Sequence, residues 1–353
     1  MGKNIRKIEK ERASNIELLR IFSMLFIVVY HFFIYSINSN NPNWNFITTP
    51  AISVLHIGVI CFVLITGYFG INFSLKGFMK LVIQCSFYSF LIYFVYIIIN
   101  PEIFSIKSLI KSFIPTQWWF INIYLCLYLL APIINIPLKT ASSSKKAVYI
   151  VTLLIISFLF QFVAPSLSDG KNPINFILIY YIGDFIRHNL KFRINLNAPK
   201  LFCVYIMFNI LLFFTLFFLS DFKMVRRIFV LLTFPYNSIG LIINSILFFL
   251  VFHKLQIKSR IINWIAISIL PVYLIHENKY VGSYLYPFVN TLQDFIDNPI
   301  LFILSVGLLG IVVLLLCVYI DKLITPIIKF IENIVFESKF FKRINDNLAV
   351  ILE

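Results

Sequence analysis

Residues 15–36 read NIELLRIFSMLFIVVYHFFIYS, and that stretch decides the fold. From Ile21 to Tyr35 its only polar side chains besides the tyrosines are Ser23 and His31. A bilayer-crossing helix needs ~20 predominantly apolar residues, and this segment supplies them. Comparable runs recur at 16–37, 50–70, 78–99, 118–137, 147–165, 173–188, 200–220, 226–253, 261–286 and 299–321. Of the 353 residues, 60% are hydrophobic and 13% charged, with 40 Phe and 18 Tyr. An ordinary globular domain is ~45–50% apolar and ~25% charged. Such a surplus excludes a water-soluble fold, and its aromatic content excludes disorder. The sequence therefore predicts an all-α integral membrane protein, a bundle of about ten transmembrane helices.

The net charge of +15 suggests a nucleic-acid partner, but its distribution argues against one. The charges fall in small groups between apolar runs, as orientation determinants do, and line no continuous polar face. With the N-terminus inside, most of the 30 basic residues lie in inner segments, an asymmetry of roughly threefold. Both termini are then cytoplasmic. No small-residue cleavage site follows the first apolar run, so a retained signal-anchor is expected. Three units result: a basic cytoplasmic segment 1–15, a transmembrane domain 16–325, and a helical tail 326–353 on the inner membrane surface. Lys223, Arg226 and Arg227 violate the charge rule locally. They are either a short loop overruled by the total or an anion-binding patch. Pro235 and Pro271 make the two longest runs the ones to break or bend. The five cysteines all sit inside apolar runs and read as small apolar fillers.

Titratable groups within spans are costly and are functional candidates. Arg20 and His31 are eleven positions apart, three helical turns plus ~20°, so they share a face with ~16 Å of axial separation. Glu17 can pair with Arg20 across one turn. Arg20 either snorkels to lipid phosphates or grips a ligand, and a neutral His31 can act as a general base. His56 and His276 fall at a similar depth. A metal site needs ligands aimed at one point, and with only depth visible none is assigned. His188, His253 and an Asp184–Arg187 pair read as structural features at inner helix ends. Trp118 and Trp119 read as an aromatic belt or as rings on which a sugar could stack.

Five segments together carry a family resemblance. Arg20 and His31 with ten residues between them, Phe62-Val63-Leu64-Ile65-Thr66-Gly67-Tyr68, and Trp119-Phe120 followed by Tyr128-Leu129-Leu130-Ala131-Pro132 are the first three. Pro235-Tyr236-Asn237-Ser238 and Tyr273-Leu274-Ile275-His276 complete the set. The chain resembles the acyltransferase-3 family of multi-span membrane acyltransferases, many of which O-acetylate bacterial surface glycans. Where many members carry an Arg-x-x-Arg pair, this chain has only Lys76 and Lys80, which cannot form arginine's bidentate fork.

The resemblance implies a plasma-membrane O-acetyltransferase with no bound cofactor. Acetyl-coenzyme A, or another acyl-coenzyme A, would be its donor. A surface polysaccharide or its lipid-linked precursor would be its acceptor. His31, Arg20 and His276 would be catalytic. Glu17, Lys76, Lys80, Arg187 and Arg193 would serve the donor; Trp118, Trp119, Arg226 and Arg227 would serve the acceptor. The competing expectation is a polysaccharide exporter of the same architecture. A homo-oligomer or a glycan-assembly complex stays open.

Overall fold

A computed structural model describes residues 12–36, 51–115, 117–163, 167, 169–190, 195–219, 222–296 and 298–352. Among the described residues there are helices and no strands. The first helices are α1 (Ser14–Ser36), α2 (Ile57–Phe69), α3 (Leu75–Ile99), α4 (Ile106–Ser112), α5 (Trp119–Thr140), α6 (Ser143–Val163) and α7 (Pro173–Phe185). They continue with α8 (Ala198–Leu219), α9 (Lys223–Thr233), α10 (Ile239–His253), α11 (Arg260–Ala266) and α12 (Ile269–His276). The last are α13 (Lys279–Phe295), α14 (Pro299–Glu337) and α15 (Lys339–Leu352).

Seven of the described helices are long and apolar enough to cross a membrane. The other three apolar runs are interrupted. Run 226–253 splits into α9 and α10 around Pro235, and run 261–286 is divided among α11, α12 and α13. The breaks before α10 and before α12 fall where Pro235 and Pro271 remove a backbone donor, whereas the one between α12 and α13 has no proline and is marked by Asn278, which caps α13. Run 173–188 ends as α7 followed by one π turn at Ile186–Leu190. The tail also departs from expectation, because α14 continues through Pro326 to Glu337 as one helix of 39 residues. The turn into α15 lies at Ser338, twelve residues beyond the expected boundary at 326. Residues 1–11 of the basic N-terminal segment lie outside the described residues, and Ser14 and Asn15 already belong to α1.

Small residues set how closely the central helices approach, as they do where lipid offers no hydrophobic drive between helices. An added Cβ on Gly67 of α2 would collide with the Tyr180 carbonyl, and one on Gly183 of α7 with the Leu64 carbonyl. Gly58 plays the same part between α2 and α1, where a Cβ would come 2.5 Å from the Ser23 carbonyl oxygen.

Polar pairs fix the remaining contacts. Asn209 of α8 and Asn244 of α10 exchange two amide hydrogen bonds, each 2.9 Å. Asn15 donates to the carbonyls of Phe252 and His253, at 3.2 Å each, capping the end of α10 against the start of α1. Asp321 of α14 is buried and accepts from Tyr88 of α3 at 2.7 Å and from Ser268 at 2.5 Å. Ser268 stands at the break before α12, so this carboxylate anchors the start of the helix that carries His276.

Candidate active site

α1 and α12 meet at their histidines. His31 Nδ1 lies 3.1 Å from His276 Nε2 and 2.7 Å from Glu277 Oε2. His276 Nδ1 is 2.7 Å from the Val272 carbonyl, one turn back along α12. A carbonyl can only accept, so His276 carries its proton on Nδ1 and leaves Nε2 as an acceptor. Facing that acceptor and a carboxylate oxygen, His31 must carry its own proton on Nδ1. The chain of assignments leaves Nε2 of His31 as a lone pair, with no protein hydrogen-bond partner among the described residues.

Glu277 is held from its other side by hydroxyls. Tyr286 of α13 donates to Oε2 at 3.1 Å, and Tyr35 of α1 donates to Oε1 at 3.3 Å. A base oriented by a carboxylate that is itself hydrogen-bonded is the arrangement general-base catalysis needs. Glu277 is missing from the expected site residues. Its signal was an acidic residue directly after His276 at the end of an apolar run.

Two hollows meet at this cluster. One is a cavity of about 290 Å³ that reaches from Arg20 to His31 and is walled by rings, with His56, Trp119, Tyr236 and Tyr273 on its sides. Its remaining lining is largely aliphatic. The other, of about 640 Å³, is polar and is lined by Tyr35, Gln117, Glu277, Lys279, Ser283 and Tyr286. His31 faces the first and Glu277 the second.

The three histidines do not form one cluster. His56 stacks on Tyr30 at 4.8 Å and meets the Tyr236 ring at 4.3 Å, whereas His31 and His276 meet each other. His31, His276 and Glu277 do bring three possible metal-ligand atoms within 4.8 Å of one another. A zinc ion would take such ligands at ~2.0–2.2 Å around one tetrahedral centre, which spaces the ligand atoms wider than the 2.7 Å between His31 and Glu277. That spacing is the hydrogen-bonded one.

Arg20 lines the cavity at the end far from His31, a third exposed, with one nitrogen 3.2 Å from Glu17. Glu17 also faces Arg12 at 3.6 Å. Lys80 pairs with Glu332 of α14 at 3.6 Å, and the Lys76 ammonium stands 5.1 Å from the Phe336 ring. Both lysines thus face the long extension of α14.

Arg187 donates to the carbonyls of Tyr68 and Phe69, at 3.1 Å each. It is not paired with Asp184, which instead holds Lys146 at 2.7 Å and His188 at 3.0 Å. The free carbonyls at the end of α2 outcompete a carboxylate already neutralised by a buried lysine. Trp118 is 1% exposed and presents no face for stacking. Trp119 is a cavity wall, with the Lys171 ammonium 5.3 Å from its ring. Arg227 lies on α9 and lines neither hollow, so it is not brought to the cluster, and the Arg226 side chain lies outside the described residues. Arg193 lies outside the described residues.

A bundle of apolar helices here surrounds a buried histidine oriented by a carboxylate, an arrangement equipped for acid–base chemistry within a membrane protein. A family profile described as an acyltransferase domain matches residues 14–322, and the chain belongs to the acyltransferase-3 family. That span takes in α1 through the middle of α14, and so every residue of the cluster. Comparisons with curated proteins and with solved structures give no match.

Proposed function

We propose that the protein moves an acyl group from cytoplasmic acyl-coenzyme A, acetyl-coenzyme A in the simplest case, to a hydroxyl of an extracytoplasmic glycan or its lipid-linked precursor. The side on which α1 begins is taken as cytoplasmic, in keeping with the basic segments on that side. The observation that carries the reading is the lone pair on His31 Nε2, facing a cavity whose other end holds Arg20. The donor's phosphates stay at the basic mouth, where Arg20 offers charge-assisted hydrogen bonds. Its flexible pantetheine arm lies in the apolar cavity and brings the thioester to His31. The acceptor hydroxyl comes from the polar hollow.

His31 Nε2 takes the hydroxyl proton as the oxygen attacks the thioester carbonyl. Glu277 stabilises the imidazolium through the Nδ1 proton, which stays where it is. Collapse of the tetrahedral intermediate expels the coenzyme A thiolate, and the Nε2 proton goes to that sulfur. An ester is formed and a thioester broken, with no net change at the histidine. The narrow, ring-walled cavity suits one flexible arm and not a polymer, which favours transfer over export.

Sealed vesicles test the reading. Inverted vesicles with glycan trapped in the lumen should acylate it when impermeant acyl-coenzyme A is added outside. Right-side-out vesicles should fail under the same addition. Transfer in the opposite orientation only, or glycan passage without ester formation, would refute it.

A further inference from the structure

α13 separates two chemically opposite hollows. On one side lies the polar hollow, to which α13 contributes Lys279, Gly282, Ser283, Tyr286 and Asn290. On the other lies a nearly pure apolar groove of about 620 Å³ between α3, α13 and α14. To that groove α13 contributes Tyr280, Val281, Tyr284, Leu285 and Phe288. The two sets alternate at helical spacing, so one helix presents a polar face to one hollow and an apolar face to the other. A helix that only packed in lipid would have no use for the polar face, and one that only walled a sugar site would have no use for the groove.

The groove opens sideways to the bilayer. Val95 and Ile99 of α3 and Tyr284 and Phe288 of α13 are all exposed along it. Its buried wall comes from Tyr88 of α3 and Ile275 of α12. At the start of α13, between the two hollows, stands Lys279. It is exposed, it lines the polar hollow, and its ammonium lies 4.5 Å from the Tyr280 ring, which lines the groove. No carboxylate lies within ion-pair distance of it among the described residues.

A cation between an apolar groove and a polar hollow matches one kind of molecule. We infer that the acceptor is a polyprenyl phosphate-linked or pyrophosphate-linked saccharide. Its chain lies in the α3–α13–α14 groove, its phosphate at Lys279 and its sugar against Tyr286 and Glu277. The inference rests on the acyl-transfer reading and narrows its acceptor. Free polymer would use the polar hollow alone. A bulk phospholipid in the groove would give the enzyme no preference between acceptors.

Head and chain then act as two linked binding modules, and such linkage raises apparent affinity by roughly 10²-fold or more. The test uses the full-length protein in vesicles with acetyl-coenzyme A. Two acceptors are compared: a short saccharide linked to polyprenyl pyrophosphate, and the same saccharide without lipid. The reading is the ratio of their kcat/KM values. In the parent protein the lipid-linked acceptor should lead by about 10²-fold. Val95→Trp, which fills the groove, and Lys279→Gln should each cut that lead by roughly tenfold, mainly through KM.

Activity on the lipid-free saccharide reports on folding in Val95→Trp, whose side chain lies outside the polar hollow, and insertion level with thermal stability reports on it in Lys279→Gln. Equal use of both acceptors by the parent would overturn the inference and leave acyl transfer standing. So would an undiminished lead in both variants. Failure of the parent on both acceptors would remove the acyl-transfer reading itself, and this inference with it.

Discussion

α12 is eight residues long and has a carboxylate at each end, one buried (Asp321) and one partly buried (Glu277). At its start, Asp321 accepts from Tyr88 and Ser268. At its end, Glu277 accepts from Tyr286, Tyr35 and His31. Burying an ionised carboxylate is expensive unless hydrogen bonds satisfy it, and both sites do so with hydroxyls. The difference lies in the third partner. The Asp321 cluster is closed, because both its donors are hydroxyls with no further task. The Glu277 cluster is open, because one donor is an imidazole whose opposite nitrogen faces a cavity. Similar polar packing therefore yields an anchor at one end of α12 and, on the proposed reading, a reactive centre at the other.

The sharpest way to break this comparison is to remove the imidazole. His31→Gln keeps volume and some hydrogen bonding but no base. It should lower acyl transfer by up to about 10⁴-fold with normal membrane insertion. His276→Gln should cost less, since His276 only accepts part of the Nδ1 proton. Transfer within a few-fold of the parent by the His31→Gln protein would make the cluster structural at both ends.

The same carboxylate-to-amide exchange can then be made at each end. Glu277→Gln turns an acceptor into a donor toward His31 Nδ1, which favours the tautomer with its proton on Nε2. The expected loss in kcat is about 10³-fold, with little change in thermal stability. Asp321→Asn keeps one oxygen for the two hydroxyls, and rotated hydroxyls can accept from the new amide. It should cost about 1–2 kcal/mol of stability and only a few-fold in activity. Equal kinetic losses at the two positions would erase the distinction between anchor and centre.

The smallest effect concerns the far end of the cavity. Arg20→Lys preserves charge but loses the planar fork, so KM for acyl-coenzyme A should rise by roughly tenfold while kcat changes less. An unchanged KM would leave Arg20 as an interfacial side chain paired with Glu17.

The membrane class and the shared face of Arg20 and His31 were legible because both follow from local rules. Apolar run length predicts a span, and eleven residues bring a helix back to nearly the same side. The chain breaks were legible at Pro235 and Pro271 for the same reason. What escaped were choices made between distant segments. Arg187 could have paired with Asp184 three residues away, but the carbonyls of Tyr68 and Phe69 lie closer to its guanidinium in space. His56 has a suitable depth, yet it packs among the rings of Tyr30 and Tyr236 while His31 meets His276 and Glu277. Glu277 was visible as a residue but not as a partner, since its value depends on α13 folding back to bring Tyr286 beside it.

The glycine crossing of α2 and α7 bears on how this sequence can drift. At Gly67 and Gly183 the obstacle to a methyl group is the opposing backbone, which cannot change rotamer or be replaced by a smaller residue. No second substitution elsewhere can make room, so both positions are locked against every other amino acid while the helices stay in contact. The cavity walls are under no such restriction. Val59, Leu81 or Leu270 can exchange for other apolar side chains as their neighbours adjust. Descendants of this chain can therefore reshape the chamber around the transferred group while inheriting the α2–α7 crossing unchanged.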